Sequence, residues 1–214
     1  IIAISQLLEE RKSNIKIIAK IENQQGVDNI DEILDHAYGI MVARGDLAVE
    51  IPQEHIPIVQ KHIVNKCKQR RKPVIIATQM LHSMIEHPRP TRAEISDVAN
   101  AVFDGTDALM LSGETAYGMY PVESVKTMRQ IAIEVESSRA TLTEVSEPQT
   151  VDKIVDFLAR AAVRASNELN AKAIVADTLR GRTIRTLASY RGHNIIFAQC
   201  YNKQVMRELA LSYG

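Results

Sequence analysis

Four short strings hold the residues with chemistry to offer: K-I-E-N at 20–23, A-R-G-D at 43–46, A-T-Q at 77–79 and S-G-E-T at 112–115. Each follows an aliphatic run of strand length, and in parallel α/β folds ligands bind where the carboxyl ends of strands meet loops and helix N-termini. Glu22 and Asp46 stand just past adjacent strands, so their carboxylates can converge. Two carboxylates without His or Cys suit a hard cation, and Mg²⁺ usually takes only one or two protein carboxylates, with water and substrate oxygens filling the rest. Spacing alone weighs this evenly against two solvated loop acids, with Asp46 facing a helix N-terminus. Lys20 ends its strand beside that point, where an ammonium can neutralise charge growing on a phosphoryl group or an enolate oxygen. Taken alone, it reads rather as a rim lysine with its stem on the barrel and its charge in water.

The remaining polar groups are weaker signals. Gly45 lets backbone approach a ligand, and the Gly45 and Asp46 amides can hold a carboxylate if a helical turn starts there. Arg44 is expected to brace the fold through a buried ion pair rather than touch substrate. Thr78 and Ser112 are hydroxyls placed to relay a proton or position water, although a strand-end threonine is common for conformational reasons. Glu114 either joins the hydrogen-bond group of Ser112 or caps the next turn. His82 and His87 face different sides of an expected helix, and Met80, Met84, Met110 and Met128 read as packing.

These strings need a scaffold that brings strand ends together. Strand-like runs at 15–20, 40–44, 74–78 and 108–112 alternate with amphipathic helical patterns. Ile30, Ile33, Leu34 and Ala37 share one helical face; Ile56, Val59, Ile63 and Cys67 form a stripe after Pro52. T-R-A-E at 91–94 is a capping box, with Ile95, Val98, Ala99 and Val102 expected inward behind it. After Pro121 the inward set is Val125, Met128, Ala132 and Val135, and Leu7 and Leu8 close a helix before the first unit. Four such units match half of a (β/α)₈ TIM barrel. Periodicity lapses over 139–150, which is expected to link this half barrel, at 1–138, to a second, truncated α/β domain at 151–214. That domain is expected to run helix 151–169, strand 173–176, helix 183–190, strand 195–198 and a last helix over 203–213.

Composition closes off other classes. The 214 residues are 45% hydrophobic and 24% charged, which excludes a disordered or collagen-like chain. The 26 basic and 26 acidic residues cancel, so no global basic field exists and nucleic acid is not an expected partner. No apolar run reaches a membrane span and no signal-peptide pattern opens the chain, so a cytoplasmic location is expected. Cys67 and Cys200 lie far apart with no metal-ligand spacing and read as reduced thiols. The chain opens on Ile1 rather than Met and closes at Gly214, as a portion of a longer protein would.

Read in order, I-I-A-K-I-E-N, M-V-A-R-G-D-L, V-I-I-A-T-Q-M-L, P-T-R-A-E and D-A-L-M-L-S-G-E-T-A resemble pyruvate kinase, and 151–214 is similar to that family's C-terminal domain. The resemblance implies phosphoryl transfer from phosphoenolpyruvate to ADP, giving pyruvate and ATP in glycolysis. It implies that Lys20 stabilises the transferring phosphoryl group and the enolate, and that Glu22 and Asp46 hold Mg²⁺ or Mn²⁺. Gly45 and Asp46, with the flanking Ala43 and Arg44, then take the substrate carboxylate; Thr78 lies near the carbon that accepts the proton, and Ser112 and Glu114 match a proton-relay region. The family's K⁺ ligands, nucleotide contacts and first barrel strands match nothing in this chain. His82 stands where the family usually has Glu. T-L-R-G-R-T at 178–183 resembles a sugar-phosphate effector loop, giving Thr178, Arg180, Gly181, Arg182 and Thr183 as candidate contacts, with Arg180 replacing a frequent Ser.

Two other readings compete. A non-enzymatic regulatory or oligomerisation module binding a phosphorylated effector would use the barrel half only as a carrier. A metal-dependent aldolase or lyase shares the Glu and Asp logic but leaves A-T-Q-M-L and S-G-E-T-A unexplained. A half barrel also leaves two unpaired edges, on the Lys20 and Ser112 strands, which favours a homo-oligomer; the family resemblance implies a homotetramer.

Overall fold

A computed structural model describes residues 1–138 and 153–214; the expected connection at 139–150 lies outside the described residues. Helix α1 (Ile2–Glu10) leads into strand β1 (Ile18–Ile21), then helices α2 (Gln24–Asp28) and α3 (Ile30–His36). Strand β2 (Gly39–Ala43) runs directly into α4 (Arg44–Glu50), and a 3₁₀ turn at Gln53–His55 delivers the chain to α5 (Ile56–Gln69). Strand β3 (Val74–Ala77) is followed by a 3₁₀ turn, His82–Ile85, and by α6 (Arg92–Phe103). The unit closes with β4 (Ala108–Met110), α7 (Gly113–Ala116) and α8 (Pro121–Ser138).

The four strands form one parallel sheet in the order β1-β2-β3-β4. Sequential strands are therefore neighbours, each pair joined by a crossover that carries helix, as in one arc of an α/β barrel. Its core gathers Ile21, Leu34, Ile40, Leu47, Ile63, Ile76, Met80 and Met84, all under 2% exposed. Met128 joins this cluster, so three of the four expected packing methionines are core. The second unit runs α9 (Lys153–Glu168), β5 (Ala173–Thr178), α10 (Arg182–Ser189), β6 (Ile195–Cys200) and α11 (Lys203–Leu209), around a parallel β5-β6 pair. A smaller core of Ala159, Val163, Leu187 and Tyr190 holds it together.

Local chemistry explains the helix starts. Thr91 and Glu94 make the full capping box at α6: the Glu94 amide donates to the Thr91 hydroxyl at 3.2 Å and the Thr91 amide to the Glu94 carboxylate at 2.7 Å. Burial would raise the Glu94 pKa, but donors from Ser83 and Thr91 outweigh it and hold the carboxyl below its ordinary value. The stability this contributes is present above the ordinary carboxyl pKa and lost as pH falls through the folded one. Lys72 reaches back to the Leu34 and Ala37 carbonyls, satisfying the C-terminus of α3, and burial holds its ammonium below the ordinary lysine value. Cys67 is fully buried, which pushes its thiol up and leaves it inert.

Several expectations need correction. The first strand covers Ile18–Ile21 rather than 15–20, leaving Ile15 70% exposed, and the last helix ends at Leu209 rather than at 213. Arg44 opens α4 rather than ending β2. Ile95 and Val125 are 40% and 52% exposed, because α6 buries Val98, Ala101 and Val102 while α8 buries Ser124, Met128 and Val135. Val125 instead lines an open hollow of about 570 Å³ beside β4, which as the end strand has no neighbour on that side. His82 lies in a single 3₁₀ turn, not an α-helix.

The two units meet through buried ions. Asp107, at the foot of β4, accepts from the Val74 amide (3.0 Å), the Arg191 guanidinium (2.7 Å) and the Tyr213 amide (2.9 Å). Arg191 also donates to the Gly105 and Ala188 carbonyls and lies over the Tyr213 ring. A second ion pair joins Arg71 to Asp156.

Candidate active site

Side chains two apart on a strand share a face, so K-I-E sends Lys20 and Glu22 to the same side while Ile21 turns into the core at 1% exposure. Strand β1 ends at Ile21 and Asn23 already caps α2, its side chain accepting from the Gly26 amide at 2.8 Å. Glu22 is therefore pinned at the rim between strand and helix. Register pairs Lys20 with Met41 on β2, which sets the start of α4, and Asp46 in its first turn, beside Lys20.

The Lys20 ammonium bridges both acids. It pairs with Asp46 at 2.7 Å and with Glu22 more closely still, all three side chains being about half exposed. Hydrogen bonds first to Asp46 and then to Glu22 raise the Lys20 pKa above its ordinary 10.5. Lys20 is thus a cation at neutral pH and acts as a charge stabiliser rather than a base.

Because both carboxylates reach one nitrogen, each has an oxygen directed at the same point of the rim. Two oxygen donors with open positions fit Mg²⁺ or Mn²⁺, which draw further ligands from water and substrate. Among the described residues no group of three or more His, Cys, Asp or Glu forms a closed metal cage.

The next strand ends bring the remaining candidates in. The Thr78 hydroxyl accepts from the Gly45 amide at 2.7 Å and donates to the Ala77 carbonyl at 2.7 Å. A Cβ on Gly45 would stand 3.3 Å from that hydroxyl, so glycine is what allows α4 to start this close to β3. Thr78 and Gln79 both adopt left-handed backbone, at φ 67° and 54°. Ala43 is fully buried at the end of β2. Arg44 is only 6% exposed; it pairs with Asp97 at 2.7 Å and donates to the carbonyls of Thr78 (3.0 Å) and Gln79 (3.1 Å).

Glu114 is buried at 2% exposure, and its two oxygens accept from the amides of Leu81 (3.0 Å) and Ser112 (2.8 Å). These bonds run to backbone amides and tie the β3 loop to the β4 loop. Sequence reasoning did not single out Asp97 or Gln79. Asp97 interrupts the apolar face of α6 next to Val98, a signal visible only once Arg44 is placed against it.

In the second unit, Gly181 is left-handed at φ 79°, and its amide donates to the buried Thr178 hydroxyl at 2.8 Å. Arg185 folds back onto the Arg180 carbonyl at 2.9 Å, while Arg182 and Thr183 are exposed at the start of α10. The five candidate effector residues therefore form one turn, with the Gly181 amide already engaged.

Comparison with known proteins accounts for both units. Residues 1–125 match the family model "Pyruvate kinase, barrel domain", and 156–214 match "Pyruvate kinase, alpha/beta domain". The chain is 52% identical over 203 residues to the pyruvate kinase of Borreliella burgdorferi, covering 94% of this chain and 42% of that one. It is 49% identical over 220 residues to the pyruvate kinase of Staphylococcus aureus, covering 100% of this chain and 37% of that protein. The crystal structure of a pyruvate kinase from Cryptosporidium parvum superposes with a TM-score of 0.87 at 44% identity, over 94% of this chain and 42% of the other. The chain thus spans about two fifths of the length of the curated relatives it matches. With the barrel unit and the α/β unit both matched, the chain belongs to the pyruvate kinase family.

Proposed function

We propose that this chain carries the second half of the catalytic barrel, and part of the C-terminal domain, of an enzyme that transfers the phosphoryl group of phosphoenolpyruvate to ADP. The observation that carries the reading is the Lys20 ammonium held between Glu22 and Asp46 at the ends of neighbouring strands. In the reaction the bond from phosphorus to the enol oxygen breaks, a β-phosphate oxygen of ADP forms the new bond, and the enolate carbon then takes a proton to give pyruvate. Positioning and charge neutralisation do most of the work in such a transfer.

Lys20 supplies fixed positive charge where the phosphoryl and enolate oxygens develop negative charge. Glu22 and Asp46 hold Mg²⁺ or Mn²⁺, which when bound polarises substrate oxygens as a Lewis acid. The first turn of α4, from Ala43 through Arg44 and Gly45 to Asp46, offers amides to the substrate carboxylate. The Gly45 amide donates to the Thr78 hydroxyl, so a carboxylate arriving there would compete with that hydroxyl for the amide and sit directly beside it. Glu114 and Ser112 complete the proton-transfer side, Glu114 by fixing the Ser112 backbone.

K⁺ and the nucleotide contacts belong in this reading to parts of the enzyme that the chain does not match, and the family resemblance implies a homotetramer. A cytoplasmic location agrees with a chain in which no described helix is long and apolar enough to cross a membrane. The turn from Thr178 to Thr183 is the candidate seat of a sugar-phosphate effector. Because the chain spans two fifths of its relatives, a second reading has these 214 residues acting alone as a non-catalytic assembly or effector-binding module.

A lactate dehydrogenase-coupled assay with phosphoenolpyruvate, ADP, Mg²⁺ and K⁺ separates the two. The full-length protein is expected to form pyruvate, and the 214-residue chain alone to form none. A full-length protein that forms no pyruvate would sink the first reading.

A further inference from the structure

Strand β3 ends on two consecutive left-handed residues, Thr78 and Gln79. A β-branched residue in that region is strained, and such strain persists only where the surroundings over-determine it. Here one guanidinium does so: Arg44 Nη2 donates to both carbonyls of the pair, at 3.0 and 3.1 Å. Its other nitrogen, Nη1, is held by Asp97 from α6 at 2.7 Å. The turn this creates sets the Thr78 hydroxyl on the Gly45 amide at 2.7 Å. A planar fork meeting two carbonyls on one side and a carboxylate on the other is a geometry that arginine makes and lysine does not.

We propose that Asp97 is a positioning residue for the proton-transfer side of the site: through Arg44 it holds the strained Thr78–Gln79 turn, and so fixes where the Thr78 hydroxyl meets substrate. The inference rests on the phosphoenolpyruvate reading above and deepens it. Asp97 acts at one remove, because its carboxylate orients the guanidinium, the guanidinium orients two carbonyls, and these set the hydroxyl. Small displacements of a reacting group are costly, so loosening the turn slows turnover without weakening the substrate's ionic contacts.

A double-mutant cycle in the full-length protein tests this. Asp97→Ala is expected to lower kcat about 10- to 100-fold, while KM for phosphoenolpyruvate moves less than about threefold. Exchange of the pyruvate methyl hydrogens with solvent should slow by the same factor as kcat. In a Thr78→Ala background, Asp97→Ala should cost less than about a further threefold, because the hydroxyl it positions is gone. Asp97→Glu, which keeps the carboxylate, should recover most of the loss. Asp97→Asn keeps the shape and removes the charge, so it should reproduce the loss and serves in place of the alanine variant if that does not fold. Multiplicative losses in the cycle, an unchanged kcat, or an effect confined to KM would overturn the proposal. Absence of turnover in the unsubstituted protein would instead overturn the phosphoenolpyruvate reading on which it stands.

Discussion

Lys20→Met in the full-length protein is expected to lower kcat for pyruvate formation by at least about 10²- to 10³-fold, the usual loss when one preorganised charge-stabilising donor is removed. The side chains are similar in length, so the substitution deletes charge more than volume. It also leaves the Glu22 and Asp46 carboxylates facing one another without the ammonium that now bridges them. Since both neighbours raise its pKa, Lys20 is protonated at every pH below 10.5 and stays so somewhat above it. A change in rate between roughly pH 6 and pH 9 therefore belongs to other groups. Steady-state kinetics across that range check the point, and a Lys20→Met enzyme retaining more than about a tenth of its kcat would remove Lys20 from the chemistry.

The second large effect concerns stability. Asp107→Ala is expected to destabilise the protein by about 3–5 kcal/mol, the cost of leaving a buried charge without its partner. The Arg191 and Asp107 side chains are 4% and 5% exposed, so the truncation leaves the guanidinium in a largely desolvated place. The same substitution orphans the Val74 and Tyr213 amides, which donate to Asp107 at 3.0 and 2.9 Å. It loosens the start of β3, the start of β4 and the docking of the α/β unit together. Urea unfolding of the full-length protein gives the number, and a loss below about 1 kcal/mol would mean that the pair contributes no more than an exposed one.

The parts that could be read from sequence were those set by local pattern. Alternation of aliphatic strands with amphipathic helices indicated all six strand positions; for β2 and β3 this is because a strand buried on both faces must be continuously apolar. The Thr91 capping box was legible because both of its bonds span three residues. Lys20, Glu22 and Asp46 converge through strand alternation and neighbour pairing, both of which follow from order along the chain.

What escaped depended on contacts between distant residues. The partners Arg44 and Asp97 are 53 positions apart, and Asp107 and Arg191 are 84 apart, so no local period links them. A left-handed threonine followed by a left-handed glutamine carries no sequence signal, since glycine or asparagine would be expected there. The rotation of α6 and α8 escaped for a different reason. Ile95 and Val125 fit an apolar stripe as well as their neighbours do, and only packing decides which residues of the stripe turn inward. Glu114 reads as an acid at a strand end, yet its oxygens are occupied by two amides that sequence could not bring to it.

Whether Glu22 and Asp46 hold the metal is decided by a Mn²⁺ titration of the full-length protein by electron paramagnetic resonance, with Glu22→Gln and Asp46→Asn beside it. Each substitution is expected to weaken Mn²⁺ binding by at least about tenfold, since each removes one of the two carboxylates that converge on Lys20 among the described residues. Mn²⁺ bound equally tightly by both variants and by the unsubstituted protein would contradict it, placing the metal elsewhere and leaving the Lys20, Glu22 and Asp46 cluster as a rim ion pair.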